Sequence, residues 1–343
     1  MSPRDLRIDT LRGFACMLLV AFHVVGSSPS SGLSLSSTHP LYRLNDVLSH
    51  LRMPLFCFLS GFVYALRPYN GEPSKFFMGK VRRLLVPMLV VGTFFAVLQS
   101  VVPGTHTPRP DWHLLHIIPV AHYWFLESIF LILMVTACLE HFGFLKTIHR
   151  FGGVWVASVL LFLVNPMPDY LGMTGAVYLL PFFLAGLACN RFSHRLDRRT
   201  LSLVAVVFAV LCLRSAIAQE LLLKGGIVSL LLGITACILL LSCRFESRLL
   251  AAIGIYSFGI YLFHPVFTAA SRMVLHRVGA DSTALLIASG MSAGIVGSIM
   301  TTLVLRRIPW GVWALGESRR RDLTEGSGFA HSQVPMTVRT SAE

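Results

Sequence analysis

Long stretches without a charged residue constrain this chain more than any other feature. Six such stretches contain no Lys, Arg, Asp or Glu, and they lie at residues 84–108, 151–168, 170–190, 225–243, 249–271 and 282–305. A helix needs about 20 mostly apolar residues to span a bilayer, and these stretches supply that length repeatedly. Only 13% of the residues are charged, against about 25% in a typical soluble domain. The pattern predicts an all-α, polytopic membrane protein.

The basic residues test how many helices cross the membrane. Ten apolar segments are predicted, at about residues 11–28, 47–66, 84–103, 123–140, 152–166, 171–190, 200–218, 221–242, 249–270 and 283–305. If the N-terminus is cytoplasmic, every inner connection is basic, as the positive-inside rule requires. The outer connections hold only isolated cases such as Arg43 and Arg109. We therefore expect about ten spans and two cytoplasmic termini. Residues 1–310 would form the membrane domain, and residues 311–343 a polar, disordered cytoplasmic tail.

Other compositional signals exclude some functions. The net charge of +13 could suit nucleic acid, but the basic residues cluster in short breaks between apolar segments, so no nucleic-acid partner is expected. The seven cysteines lie within or beside apolar segments and are odd in number. They are expected to be buried, apolar-like side chains rather than a disulfide framework. The histidines of the loop at residues 103–122 have no regular metal-ligand spacing, so they are interpreted as interfacial residues and no metal is expected.

The first apolar segment carries two ionisable residues, Arg12 and His23. An ionisable side chain at membrane depth is costly and is by default a functional hypothesis. Eleven residues correspond to about 16 Å along a helix and return to within about 20° of the same face. One polar stripe could therefore run from the inner interface to the outer leaflet. Equally open is that Arg12 snorkels to lipid phosphate and that His23 is interfacial.

Three further ionisable residues are predicted at the depth of His23. They are Arg52, Glu127 and His264, from the second, fourth and ninth segments. A structural ion-pair network would explain them. The convergence of a base, a carboxylate and a guanidinium favours a reaction site instead.

A basic segment and a small-residue pair complete the candidates. Lys80, Arg82 and Arg83 precede the third segment. Positive-inside topology alone explains them, and the alternative is a dock for a phosphorylated cytoplasmic ligand. Ser60 and Gly61 permit either close helix packing or the close approach of a ligand, of which packing is the commoner reason.

At these residues the sequence resembles the acyltransferase-3 family, whose members O-acylate sugars and glycans. The similarity covers about residues 5–305 and rests on five motifs in order: Ile8–Gly13 followed by His23, Met53–Phe62, Lys80–Pro87, Trp124–Leu126 and Tyr256–His264. The departures are Thr10, Cys57 and Phe258, and none removes a proposed catalytic group. The nearer likeness is to stand-alone exopolysaccharide and nodulation-factor acetylases of the cell inner membrane.

The resemblance implies a reaction and roles for the candidates. An acyl group, expected to be acetyl, would pass from cytoplasmic acyl-CoA to a hydroxyl of an extracytoplasmic or lipid-linked glycan, without a permanently bound cofactor. Lys80, Arg82 and Arg83 would hold the CoA phosphates, with Arg12 and Ser60 further along the path. His23 is assigned the role of general base, and Glu127 would orient it. Arg52 or His264 would stabilise the oxyanion or orient the sugar.

Two other functions use the same residues. A transporter or flippase of lipid-linked saccharides also needs charges at membrane depth, although such folds often contain internal repeats and none is evident here. A non-catalytic scaffold of polysaccharide export machinery is the third hypothesis. It predicts that changes at His23 and Glu127 are tolerated.

Overall fold

The computed structural model describes residues 5–102, 111–193, 197–218 and 225–317. Apart from one isolated bridge between Leu115 and Ile118, the regular structure of these residues is helical. The all-α prediction is therefore confirmed. The elements are α1 Leu6–Val25, α2 Pro40–Val47, α3 Ser49–Tyr64, α4 Pro73–Lys80, a π-helical turn Val81–Leu85, α5 Val86–Val101, a 3₁₀ turn Ala121–Tyr123, α6 Trp124–His141, α7 Ile148–Val164, α8 Met173–Arg191, α9 Arg198–Ala218, α10 Ile227–Ser242, α11 Arg248–Ile255, α12 Ser257–Arg277, α13 Thr283–Arg307 and α14 Pro309–Ala314.

Within the described ranges, seven helical segments are long and apolar enough to cross a membrane. They are Leu6–Val25, Pro40–Tyr64, Pro73–Val101, Ala121–His141, Met173–Arg191, Ser257–Arg277 and Thr283–Arg307. Each overlaps a predicted segment, so a multi-pass membrane protein is confirmed. The helices α7 and α10 are apolar but have only 17 and 16 residues, and α9 lies at the predicted seventh segment. The number of ten spans and the cytoplasmic termini remain predictions.

The predicted ninth segment is two helices rather than one. Helix α11 ends at Ile255, and α12 begins at Ser257 after Tyr256, whose φ of −97° and ψ of 11° lie outside helical values. The break lets α11 lie directly on α1. A Cβ on Gly13 would collide with the carbonyl of Leu250, and one on Gly254 would collide with the carbonyl of Asp9. Two glycines therefore hold the helix that carries Arg12 and His23 against its neighbour.

A second glycine crossing joins α3 to α8. A Cβ on Gly61 would collide with the carbonyl of Phe183, and a Cβ on Gly186 with the carbonyl of Phe58. Small residues let helix backbones approach closely in membranes, where packing rather than the hydrophobic effect drives association. The crossing fixes α3, which carries Arg52, relative to α8, which carries Tyr178.

The predicted boundary between membrane domain and tail falls inside α14. Gly311 and Leu315 are buried against the bundle. Residues 318–343, which make up most of the predicted disordered tail, lie outside the described residues.

Candidate functional site

A cavity of about 790 Å³ lies where α1 ends. His23 and Arg52 line it, together with His122 and Tyr261. Parts of its wall come from connecting segments, at residues 26–32, 119–122 and 165–172. Irregular backbone at membrane depth is tolerated where it lines a water-filled cavity or is buried in protein. The structure thus brings two of the predicted site residues, His23 and Arg52, to the wall of one cavity.

Three histidine rings meet beside this cavity. The His23 ring lies edge-on to His264, with 4.7 Å between ring centres, and 5.8 Å from the ring of His122. His122 and His264 are 5.3 Å apart. His122 and His264 are buried, and His23 is partly exposed. His23 and His122 line the cavity, whereas His264 does not. His23 is therefore well placed to act on a molecule in the cavity, with two imidazoles beside it.

Backbone carbonyls fix the hydrogen positions on two of these rings. His264 Nδ1 lies 2.7 Å from the carbonyl oxygen of Ile260, and His122 Nε2 lies 3.1 Å from that of Tyr261. A carbonyl oxygen only accepts, so each of these nitrogens donates. In the neutral rings, His264 Nε2 and His122 Nδ1 then carry acceptor lone pairs. Both atoms are buried and have no hydrogen-bond partner among the described residues.

His122 is the main residue that the sequence interpretation missed. It lies in the 3₁₀ turn directly before Trp124, where it was taken for an interfacial histidine. The structure buries it because two tyrosines tie this turn to α12. Tyr123 donates to the carbonyl of Leu262 at 2.8 Å, and Tyr261 donates to the carbonyl of His122. The available signal was its position two residues before the Trp124–Leu126 motif of the resemblance.

The buried guanidinium of Arg52 is held on two sides. It stacks over the ring of Phe22, 3.8 Å from the ring centre, and donates to the carbonyl of Asn45 at 3.1 Å. Asn45 in turn donates to the carbonyl of Gly26 at 2.9 Å. These contacts connect α1, α2 and α3 at the cavity and fix Arg52 as one of its walls. Asn45 had no role in the sequence interpretation.

Glu127 does not make the expected hydrogen bond to His23. Its side chain is buried, packs against Gly172 and does not line the cavity. Neither carboxylate oxygen has a hydrogen-bond partner within the described residues. In the structure, His122 and His264 occupy the positions beside His23 that the sequence interpretation gave to Glu127.

The remaining predicted residues lie away from the cavity. Arg82 and Arg83 are exposed on the π-helical turn, and Lys80 lies over the ring of Phe76. Arg12 pairs with Asp9 at 3.5 Å. The hydroxyl of Ser60 donates to the carbonyl of Phe56 in its own helix, at 2.8 Å.

Helix α5 connects the π-helical turn that carries Arg82 and Arg83, here called the basic turn, to the histidines. The ring of Phe95 lies 5.5 Å from that of His122. Arg83 is 12 residues earlier, which is about 18 Å at 1.5 Å per residue. The two groups therefore lie near opposite ends of one helix, and a ligand held at both must be long. Gly316, with a φ of +64°, packs against the backbone of Arg82 and Arg83 and supports the turn.

The part of the chain that holds these residues matches a known protein family. A family model described as an acyltransferase domain matches residues 5–303. No curated protein and no solved structure matches the chain. Among the described residues, no group of three or more His, Cys, Asp or Glu side chains is suited to hold a metal ion.

Proposed function

The chain belongs to the acyltransferase-3 family of membrane acyltransferases, and from this premise we propose that it moves an acyl group from acyl-CoA to a sugar hydroxyl. The donor is cytoplasmic acetyl-CoA, and the acceptor is a glycan on the other side of the inner membrane, used in exopolysaccharide synthesis. One observation carries the proposal. His23, at the end of α1, lines a cavity of about 790 Å³, and the buried imidazoles of His122 and His264 lie beside it.

The reaction balances with one base and no bound cofactor. His23 takes the proton of the acceptor hydroxyl while the hydroxyl oxygen attacks the carbonyl carbon of the thioester. The new C–O bond forms, and the resulting tetrahedral intermediate collapses with breakage of the C–S bond. The CoA sulfur leaves with the proton that His23 had taken. The products are the sugar ester and free CoA. Arg52 carries a fixed positive charge on the cavity wall. We assign it the role of stabilising the oxyanion or orienting the sugar.

His264 is a positioning residue for His23. Its Nε2 lone pair can accept a hydrogen bond from His23, which would leave the other nitrogen of His23 facing the acceptor. We expect His264→Ala to lower kcat about tenfold or more, a loss of about 1.4 kcal/mol of transition-state stabilisation, with little change in KM for acyl-CoA. His264→Gln, which retains an acceptor atom, should restore part of the loss.

Steady-state kinetics on purified protein measure this effect. His276→Ala is the control, because His276 lies on the same helix but is half exposed. Equal kcat values for wild type and His264→Ala would contradict the positioning role. A fall in thermal stability without a change in kcat would indicate that His264 is only structural.

The basic turn at Lys80–Arg83 is the proposed site for the CoA phosphates. We expect the double variant Arg82→Ala/Arg83→Ala to raise KM for acyl-CoA about tenfold or more. Hydrogen bonds to charged groups are worth about 1.5–3 kcal/mol each, and exposure reduces that value here. The kcat at saturating donor should change little, because the turn lies about 18 Å along α5 from the histidines.

An adjacent pair of exposed arginines provides the control for this experiment. Arg198 and Arg199 begin α9 and are exposed. The variant Arg198→Ala/Arg199→Ala removes the same charge elsewhere and should leave KM unchanged. If both double variants raised KM equally, general electrostatic attraction rather than a dock would explain the effect.

Transfer of labelled acetyl from acetyl-CoA to a glycan by the purified protein tests the proposed function itself. A transporter or flippase of lipid-linked saccharides would move the glycan without labelling it. An export scaffold would do neither. Acetylation that requires His23 therefore separates the three functions.

A further inference from the structure

Two helices stop short beside the cavity. At 1.5 Å per residue, α7 and α10 are about 25 Å long, against about 30 Å for the hydrocarbon core of a bilayer. Leu163 and Asn165, at the end of α7, line the cavity, and so does Gly225, just before α10. The cavity therefore lies beside the ends of two helices that are shorter than the hydrocarbon core.

The end of α7 and the segment after it have two different sides. Leu163 and Val164 are 43% and 73% exposed, and Tyr170 and Leu171 are also exposed. Exposed apolar side chains on a membrane protein face acyl chains or the interface. Asn165, by contrast, is a polar residue of the cavity wall, and its side-chain Oδ1 is buried without a hydrogen-bond partner in the described part of the chain. The edge of the cavity is thus apolar outside, and its wall combines apolar side chains with polar ones such as Asn165.

The interior has the side chains that a sugar needs. Trp124 and Tyr178 both line the cavity. A Cβ on Gly175 would collide with the Trp124 ring, so the missing side chain lets the indole lie against α8. The ring of Tyr178 stacks on Phe162, with 5.4 Å between ring centres. Two aromatic rings held in place offer faces for the C–H groups of a sugar, and polar side chains of the wall, among them Arg52, Asn165 and Asp169, can pair with its hydroxyls.

Ser49 adds a further polar side chain to the cavity wall. The hydroxyl of Ser49, which also lines the cavity, is buried and has no hydrogen-bond partner within the described residues. A volume of about 790 Å³ is within the range of about 300–1,000 Å³ that is usual for small-molecule sites. This space is larger than a single hydroxyl and an acetyl group require.

We propose that the acceptor is a saccharide still attached to a membrane lipid, which enters the cavity from the bilayer past the end of α7. The saccharide occupies the interior, against the aromatic rings and polar side chains of the wall, and the lipid chain lies along the apolar edge formed by Leu163 and Val164. A free polymer has no apolar part that could use this edge. The inference rests on the proposed acyl transfer and specifies its acceptor.

The test compares one saccharide in two forms. Polyprenyl-diphosphate-linked saccharide is extracted from the membranes of the source cells, and half of it is released from the lipid by mild acid. Purified full-length protein in lipid nanodiscs then receives labelled acetyl-CoA and either form. The expected kcat/KM is about tenfold or more higher for the lipid-linked form, the ratio expected when a few methylene groups lie against the edge. Equal values, or a preference for the released saccharide, would overturn the proposal.

Two matched variants locate the effect. Val164→Asn should lower kcat/KM for the lipid-linked acceptor and leave that for the released saccharide unchanged. Leu160→Asn is the control, because Leu160 is 59% exposed and lies one turn earlier on the same face of α7. It should change neither value. Identical behaviour of the two variants would exclude the edge of the cavity as the path of the lipid.

The two levels of the proposal fail differently. Transfer to the released saccharide that equals transfer to the lipid-linked form would refute the lipid-linked acceptor and leave acyl transfer standing. Folded protein that binds acetyl-CoA but labels neither acceptor would refute the proposed acyl transfer to this saccharide.

Discussion

His23→Ala is expected to lower acyl transfer by about 10²–10⁴-fold, the range that a positioned general acid or base contributes. The loss should fall on kcat, because His23 lies at the acceptor cavity and not at the basic turn. Binding of acyl-CoA should persist. His23→Gln should be about as inactive, because an amide cannot accept a proton at neutral pH.

Acetylation of cell glycans, normalised to the amount of protein in the membrane, measures this loss. His149→Ala is the control, since His149 lies on α7 and is exposed. Normal acetylation at normal protein level in the His23→Ala strain would exclude His23 as the base. It would also favour the scaffold hypothesis, which tolerates changes at this position.

Gly61→Ala is expected to destabilise the whole bundle. The added Cβ would collide with the carbonyl of Phe183 in the backbone of α8, which cannot move aside as a flexible side chain would. Overpacking of this kind costs about 1–3 kcal/mol and occasionally more, and a backbone contact belongs at the upper end. Because α3 carries Arg52 and α8 carries Tyr178, separation of the two helices should also widen the cavity and reduce activity.

Thermal unfolding of the detergent-solubilised protein, together with its level in the membrane, tests this prediction. Gly152→Ala is the control, because a Cβ at Gly152 on α7 meets no atom within 4 Å. Its unfolding temperature should equal or exceed that of wild type, since Ala favours a helix over Gly. A Gly61→Ala protein with the same unfolding temperature as Gly152→Ala would show that the α3–α8 crossing is looser than the structure has it.

The candidate site was predicted in part. Arg12 and His23 were placed on one helix three turns apart, a relation that α1 alone determines. The sequence also indicated that Arg52 and His264 approach His23, and both lie close to it in the structure. Their catalytic roles remain predictions. Glu127 was given the place beside His23, whereas the structure puts His122 there.

The sequence alone determined that the chain is an all-α, multi-pass membrane protein, because length and hydropathy of a helix are local properties. A helix that spans a bilayer needs about 20 mostly apolar residues, and the rest of the chain does not change that requirement. The separation of Arg12 and His23 follows from helix geometry in the same way.

Only the tertiary structure decided which side chains surround His23 and where a ligand fits. His23 and His264 are far apart in the chain, and the rotation of their helices depends on glycine crossings and on tyrosine hydrogen bonds between distant elements. A hydropathy pattern gives the depth of a residue in the bilayer but not the direction in which it points. That is why His122, and not Glu127 five residues later in the chain, lies beside His23.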